Sequence, residues 1–205
     1  MFSLRSSSHD RPGLLGVFAG VCVVAAVVVA AVWTGRHTGQ SAREHLASTA
    51  MLNGFDPYTL VASDGTIDEE DLGIYNVAGN ILALKTDAPP GSVLNVRYNV
   101  VSVDGLTNNL GCVLMIMRFR DNGAGARVIA RLKRHKISDG TTQTVMTVDS
   151  NNQTHAAGFQ LGNITNCNLV FDFFNFSYFI DVELHKTSAS GNPGLAMLRL
   201  NTIPD

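Results

Sequence analysis

From Tyr58 onward the chain is cut into short runs rich in β-branched and aromatic residues, separated by Gly, Asn, Asp and Pro. The runs fall at 58–62, 73–77, 80–85, 93–103, 111–120, 126–136, 143–149, 157–162, 168–173, 178–186 and 194–201. Short strands at this even spacing, with turn signals between them, predict an all-β antiparallel sandwich, jelly-roll-like, over residues 58–205. Alternation supports this. In YFIDVELHK, Tyr178, Ile180, Val182 and Leu184 share one face, while Phe179, Asp181, Glu183 and His185 share the other. One side is therefore core and the other wet. ARVIARLKRH repeats the pattern, with Ala126, Val128, Ala130 and Leu132 inward and Arg127, Arg131 and Lys133 outward. Asn122-Gly123 and Ser138-Asp139-Gly140 are turn signals, because these residues tolerate positive φ. Residues 111–149 then read as three consecutive antiparallel strands.

The N-terminal texture is different. From Pro12 to Gly35 the chain carries no charge and consists mostly of Val, Ala, Leu and Gly. At about 1.5 Å of rise per residue, a helix of that length crosses a hydrocarbon core of roughly 30 Å. A cleaved signal peptide has an apolar region of only about 7–15 residues, so length favours a transmembrane signal-anchor over cleavage at Val29-Ala30-Ala31. The expected organisation is a cytoplasmic leader at 1–11, an anchor or signal at 12–35, a stalk at 36–57, and an extracytoplasmic body. The alternative is secretion after cleavage. Cys112 and Cys167 are the only cysteines of the body, a parity that permits one disulfide in an oxidising compartment; two buried thiols are the other reading.

The chemistry-bearing residues are few. SDGTIDEEDL, Ser63 to Leu72, is spelled like the second half of a calcium loop, yet the positions that would supply the first ligands are Leu60 and Ala62. Asp64, Asp68 and Asp71 are therefore weak metal candidates beside the simpler reading, a solvated acidic turn. Arg118, Arg120, Arg127, Arg131 and Lys133 crowd one predicted hairpin, with Asp121 the sole acid among them, and form a candidate cationic strip for anionic lipid or polysaccharide. The competing reading is protection of an exposed strand against edge-to-edge pairing. The formal net charge of −2 and the lack of stacking aromatics within the strip argue against nucleic acid. VFDFFNFSYF, Val170 to Phe179, sends Phe171 and Phe173 inward and leaves Phe174, Phe176 or Phe179 as surface rings, for core packing, an oligomer interface or a ligand. His135, His155 and His185 stand in no metal or catalytic spacing, and no GxSxG elbow occurs. Carboxylates such as Asp149, Asp172, Asp181 and Glu183 are candidates for an acid/base pair across strands, beside the reading of ordinary turn and surface acids. No cofactor is implied.

RFRDNGAGARVIARLKRHKISDGTTQTVMTVDSN and FSYFIDVELHKTSASGNPGLAMLRL, between Cys112 and Leu200, resemble the C-terminal region of exported bacterial β-domain proteins of unknown function. The shared signatures are the RDNG turn, the DSN turn and the terminal NPGL strand. The resemblance implies an exported β-domain and assigns no functional residues. The chain thus reads as a non-catalytic, membrane-tethered binding or envelope-structural module, with homo-oligomers permitted. An envelope polysaccharide or peptidoglycan hydrolase and a pilin-like filament subunit are the alternatives.

Overall fold

The computed structural model describes residues 57–107 and 111–203, which belong to a compact unit running from Met51 to Asp205. The leader, the apolar segment at 12–35 and all but the last residue of the stalk lie outside the described residues. Among the described residues no helix is long and apolar enough to cross a membrane.

Among the described residues, eleven strands build two antiparallel sheets. Sheet A contains β1 (Tyr58–Val61), β3 (Tyr75–Ala78), β4 (Ile81–Leu84), β6 (Cys112–Asp121), β9 (Ala156–Asn166) and β11 (Gly194–Ile203). Its order is β3-β4-β11-β6-β9, with β1 also paired to β11. Sheet B contains β2 (Thr66–Ile67), β5 (Ser92–Val100), β7 (Ala126–Lys136), β8 (Thr142–Asp149) and β10 (Phe176–Lys186), in the order β2-β5-β10-β7-β8. A register shift between Leu195 and Met197 separates the part of β11 that pairs β4 from the part that pairs β1.

The core lies between the sheets. Leu94, Val96 and Tyr98 of β5 and Met115, Met117 and Phe119 of β6 belong to one hydrophobic cluster, and every one of them is buried. Tyr178, Ile180, Val182 and Leu184 are buried as their alternation requires, as are Ala126, Val128, Ala130 and Leu132. Burial of a phenolic oxygen costs free energy unless it is bonded; Tyr98 Oη donates to the Ala62 carbonyl at 2.7 Å. Cys112 and Cys167 are joined in a disulfide with Cα atoms 3.8 Å apart, tying the start of β6 to the residue that follows β9.

Three expectations change. Residues 111–149 are not three neighbouring strands: β6 lies in sheet A, and β7 and β8 form a hairpin in sheet B. The RDNG turn is therefore a corner between sheets, with Gly123 at φ 107°. Residues 168–173 form no strand. Leu169 and Phe171 are buried there, but the segment is a loop, and Asp172 Oδ1 accepts the backbone N–H groups of Phe174 and Asn175. Finally, β7 is an interior strand flanked by β10 and β8, so its cations do not guard an edge.

Candidate functional site

The two sheets present outer faces of opposite electrostatic design. On sheet B, the cations of β7 stand beside carboxylates supplied by β10 and β8. Asp181 bridges Arg97 at 2.9 Å and Lys133 at 2.8 Å. Arg127 pairs with Asp149 at 2.5 Å. Arg131 pairs with Glu183, which also meets His185 Nε2 at 2.9 Å. The Arg97 guanidinium lies 4.6 Å from the centroid of the Phe179 ring, covering the aromatic that alternation had sent to this surface.

These pairings set the titration of the acids. The hydrogen bond from Arg127 holds the Asp149 carboxyl below its ordinary range. Burial acts to raise Asp181, but the hydrogen bonds from Arg97 and Lys133 outweigh it and the net direction is down. Glu183 behaves alike, burial being outweighed by His185 and Arg131. Asp172, the fourth candidate, is lowered by the Asn175 side chain and sits in its own turn. General-acid chemistry near neutral pH needs a carboxyl pushed upward, and all four are pushed downward.

A Ser, an Asp and a His do meet at the corner of the sandwich, but in an order unsuited to nucleophilic catalysis. Ser150 Oγ donates to Asp121 Oδ2 at 2.5 Å and accepts the Val128 N–H at 2.8 Å. His155 Nδ1 lies 3.5 Å from the other carboxylate oxygen, which also accepts the Gly123 N–H at 3.0 Å. The imidazole is not next to the hydroxyl, so no histidine is placed to take its proton. Ser150 and Asp121 are both fully buried, and the cluster pins the RDNG turn to the DSN turn. Among the described residues His135 hydrogen-bonds only Thr142, and the three histidines do not converge.

The acidic stretch is also structural. Ala62–Asp64 and Glu69–Asp71 are single 3-10 turns on either side of β2. Asp71 is buried, and its Oδ2 accepts both the backbone N–H of Asn95 at 2.7 Å and the Asn95 side-chain amide at 3.0 Å. Asp64 and Asp68 are exposed. Among the described residues no three His, Cys, Asp or Glu side chains are grouped to hold a metal ion.

The five-residue cationic strip is split by the fold. Arg127, Arg131 and Lys133 do share the outer face of sheet B, whereas Arg118 and Arg120 project from the outer face of sheet A. There they are joined by Arg199 of β11, which sequence reasoning did not single out although Met197, Arg199 and Asn201 alternate with buried Leu198 and Leu200. The six strands of sheet A carry a single carboxylate, Asp121, and it points into the core. Arg199 Nε donates to Thr59 Oγ1 at 2.9 Å. Arg120 donates to the Asn192 carbonyl and side chain and stacks 5.2 Å from the Phe159 centroid. Burial draws the Arg120 guanidinium below its ordinary range, whereas the carboxylate partners of Arg97 and Arg127 raise theirs. Arg118 is exposed and has no partner among the described residues.

Apolar side chains surround these arginines. The register sets Arg118 of β6 directly between Met197 of β11 and Leu161 of β9, with Val61 of β1 next beyond Met197. Leu161 is 59% exposed and Val61 37%. In the next row Arg199 lies between Thr59 and Ile116. The most exposed ring of the aromatic run, Phe174 at 90%, belongs to the loop before β10 and not to either face.

No protein-family model matches the chain, and no curated protein matches it. Among solved structures it is similar to the CBM36-1 domain of a multidomain xylanase from the hindgut metagenome of Trinervitermes trinervoides, at 12% identity over 73% of this chain and 100% of that one, with a TM-score of 0.40. It is also similar to the C-terminal CBM6 of LamC from Zobellia galactanivorans, at 10% identity over 72% and 100% of the two chains, TM-score 0.39. A family two carbohydrate esterase from Cellvibrio japonicus matches at 15% identity and TM-score 0.35, with 73% of this chain covering 34% of that one. This chain thus spans about a third of the esterase's length. Likeness at these identities and TM-scores carries nothing about ligand or activity.

Proposed function

We propose that this protein is a non-catalytic binding module, a jelly-roll-like sandwich held outside the cytoplasm by its apolar segment at 12–35, that docks an anionic partner on the outer face of sheet A. One observation carries the reading: that face holds Arg118, Arg120 and Arg199 with no carboxylate among its outward residues, while every outward cation of β7 on sheet B has a partner. A cation without an internal partner is free to attract an external anion. The hydrolase alternative finds no support in Asp149, Asp172, Asp181 and Glu183, whose hydrogen bonds favour the ionised form.

Arg118→Glu tests the reading with little risk to folding, because it breaks no side-chain hydrogen bond or ion pair among the described residues. Arg134→Glu, on sheet B, makes the same change in net charge and is the control. Retention on an immobilised acidic polysaccharide and on anionic vesicles is measured for both. Arg118→Glu should lose retention on at least one matrix and Arg134→Glu should keep it. Equal retention by both variants and the parent on both matrices removes the reading.

A further inference from the structure

We infer that the anionic partner of sheet A is a lipid bilayer, on which the sheet lies flat. This rests on the proposed anionic-docking face and deepens it. The arginines there do not form a bare cationic patch, as a hydrated polyanion would favour. Arg118 rises between Met197 and Leu161, with Val61 beyond, so one row across four adjacent strands is apolar, apolar, cationic, apolar. Neighbouring strands are about 4.8 Å apart, which makes this row roughly 14 Å wide. Leu161 and Val61, both exposed, can enter the headgroup boundary, while an arginine beside them reaches phosphate. A polysaccharide offers anions but nothing for Leu161 to enter.

The chain path agrees. β1 is the first described strand, it belongs to this sheet, and Val61 is one of its outward residues. The segment read from the sequence as membrane-embedded lies upstream of it, across the stalk at 36–57. Each arginine held at an anionic bilayer is worth about fivefold in partitioning, so Arg118 and Arg199 together supply on the order of twenty-fivefold, Arg120 being occupied with Asn192 and Phe159. The other outer face offers no such gain, because its cations are already engaged.

The test uses the full-length chain carrying Cys22→Ser and either Leu161→Cys or, as a control on the outer face of sheet B, Asn99→Cys. Each is reconstituted in nanodiscs of phosphatidylcholine, with or without about a third phosphatidylglycerol, and the rate of labelling by a membrane-impermeant maleimide is measured. Leu161→Cys should react at least tenfold more slowly on the anionic discs than on the neutral ones. Asn99→Cys should react equally on both. Adding Arg118→Glu and Arg199→Glu should restore fast labelling of Leu161→Cys. Equal labelling of Leu161→Cys on both discs overturns the bilayer assignment. If a soluble acidic polysaccharide then slows that labelling, the anionic-docking reading survives with a different partner; if it does not, both fall.

Discussion

Asp121→Ala should unlock the corner of the sandwich, and its cost can be worked from the contacts. The carboxylate is fully buried and takes the Ser150 hydroxyl on one oxygen and the Gly123 N–H on the other. Hydrogen bonds to a charged acceptor contribute about 1.5–3 kcal/mol each, and a buried donor left without a partner costs about 1–3 kcal/mol. Removing the carboxylate also recovers its own desolvation cost, which offsets part of the loss. Gly123 is only partly buried, so water can replace its lost acceptor, whereas the Ser150 hydroxyl is sealed in. The net cost is then about 2–4 kcal/mol, or a fall in Tm of roughly 6–12 °C for a unit of this size. Urea unfolding of the parent, Asp121→Ala, Ser150→Ala and the double variant closes a cycle. The two residues share one bond, so their effects should fall short of additivity by at least about 1 kcal/mol. A loss below about 0.5 kcal/mol for Asp121→Ala, or strict additivity, would mean that the corner is held by something else.

Replacing both Cys112 and Cys167 by Ser frees a loop whose ends are 55 residues apart in sequence, and chain entropy alone then predicts about 4 kcal/mol of lost stability. Urea unfolding checks this, and a loss under about 1 kcal/mol would show that β6 and β9 are registered without the bridge. Acid should weaken the fold in a defined window. Asp149, Asp181 and Glu183 lie below their ordinary values of 3.8, 3.8 and 4.5, so on acidification the unfolded chain binds protons first. The stability they contribute is complete above about pH 5 and drains away as pH falls through their lower folded values. Solvent screening limits each of these partly exposed pairs to about 1 kcal/mol. Asp181→Asn should flatten the acid limb of urea midpoint against pH, and an unchanged slope would refute the assignment.

Much of the architecture could be read from period and punctuation. The alternation in β7 and β10 assigned inward and outward residues correctly along both strands, because a pleated strand with one wet face leaves no other arrangement. Sheet membership was not legible. Asn122-Gly123 permits a tight reversal, but the same positive-φ residue serves a hairpin or a corner between sheets, and the choice depends on partners remote in sequence. β6 finds those partners in β9 and β11, and β7 finds one in β10. The loop at 168–173 resembled a strand because Leu169 and Phe171 alternate with polar or exposed neighbours. Its cue was Asp172, three residues before Asn175, which closes a side-chain-bonded turn. β2 is two residues long and leaves no periodic trace. The cations were visible as residue types, but whether each was neutralised required register.

That dependence on register gives the two faces different physical meanings. On sheet B, an outward cation in an interior strand is flanked by strands that carry acids within reach, so removing Arg127, Arg131 or Lys133 exposes a carboxylate to its neighbours and disturbs the sheet itself. On sheet A, β6 is equally interior, yet β9 carries no charge and β11 carries only Arg199. Folding gains no ion pair from Arg118 in that setting. Its long side chain can cover Met197 and Leu161, but an uncharged residue of the same length would do this without placing a charge near Arg120 and Arg199. Like charges on adjacent strands are unfavourable to the isolated domain, and an anion supplied from outside reverses the sign of that contribution. Arg118, unlike Arg120 and Arg199, which bond Asn192 and Thr59, is therefore poorly matched to the fold alone and well matched to a fold resting on something negative.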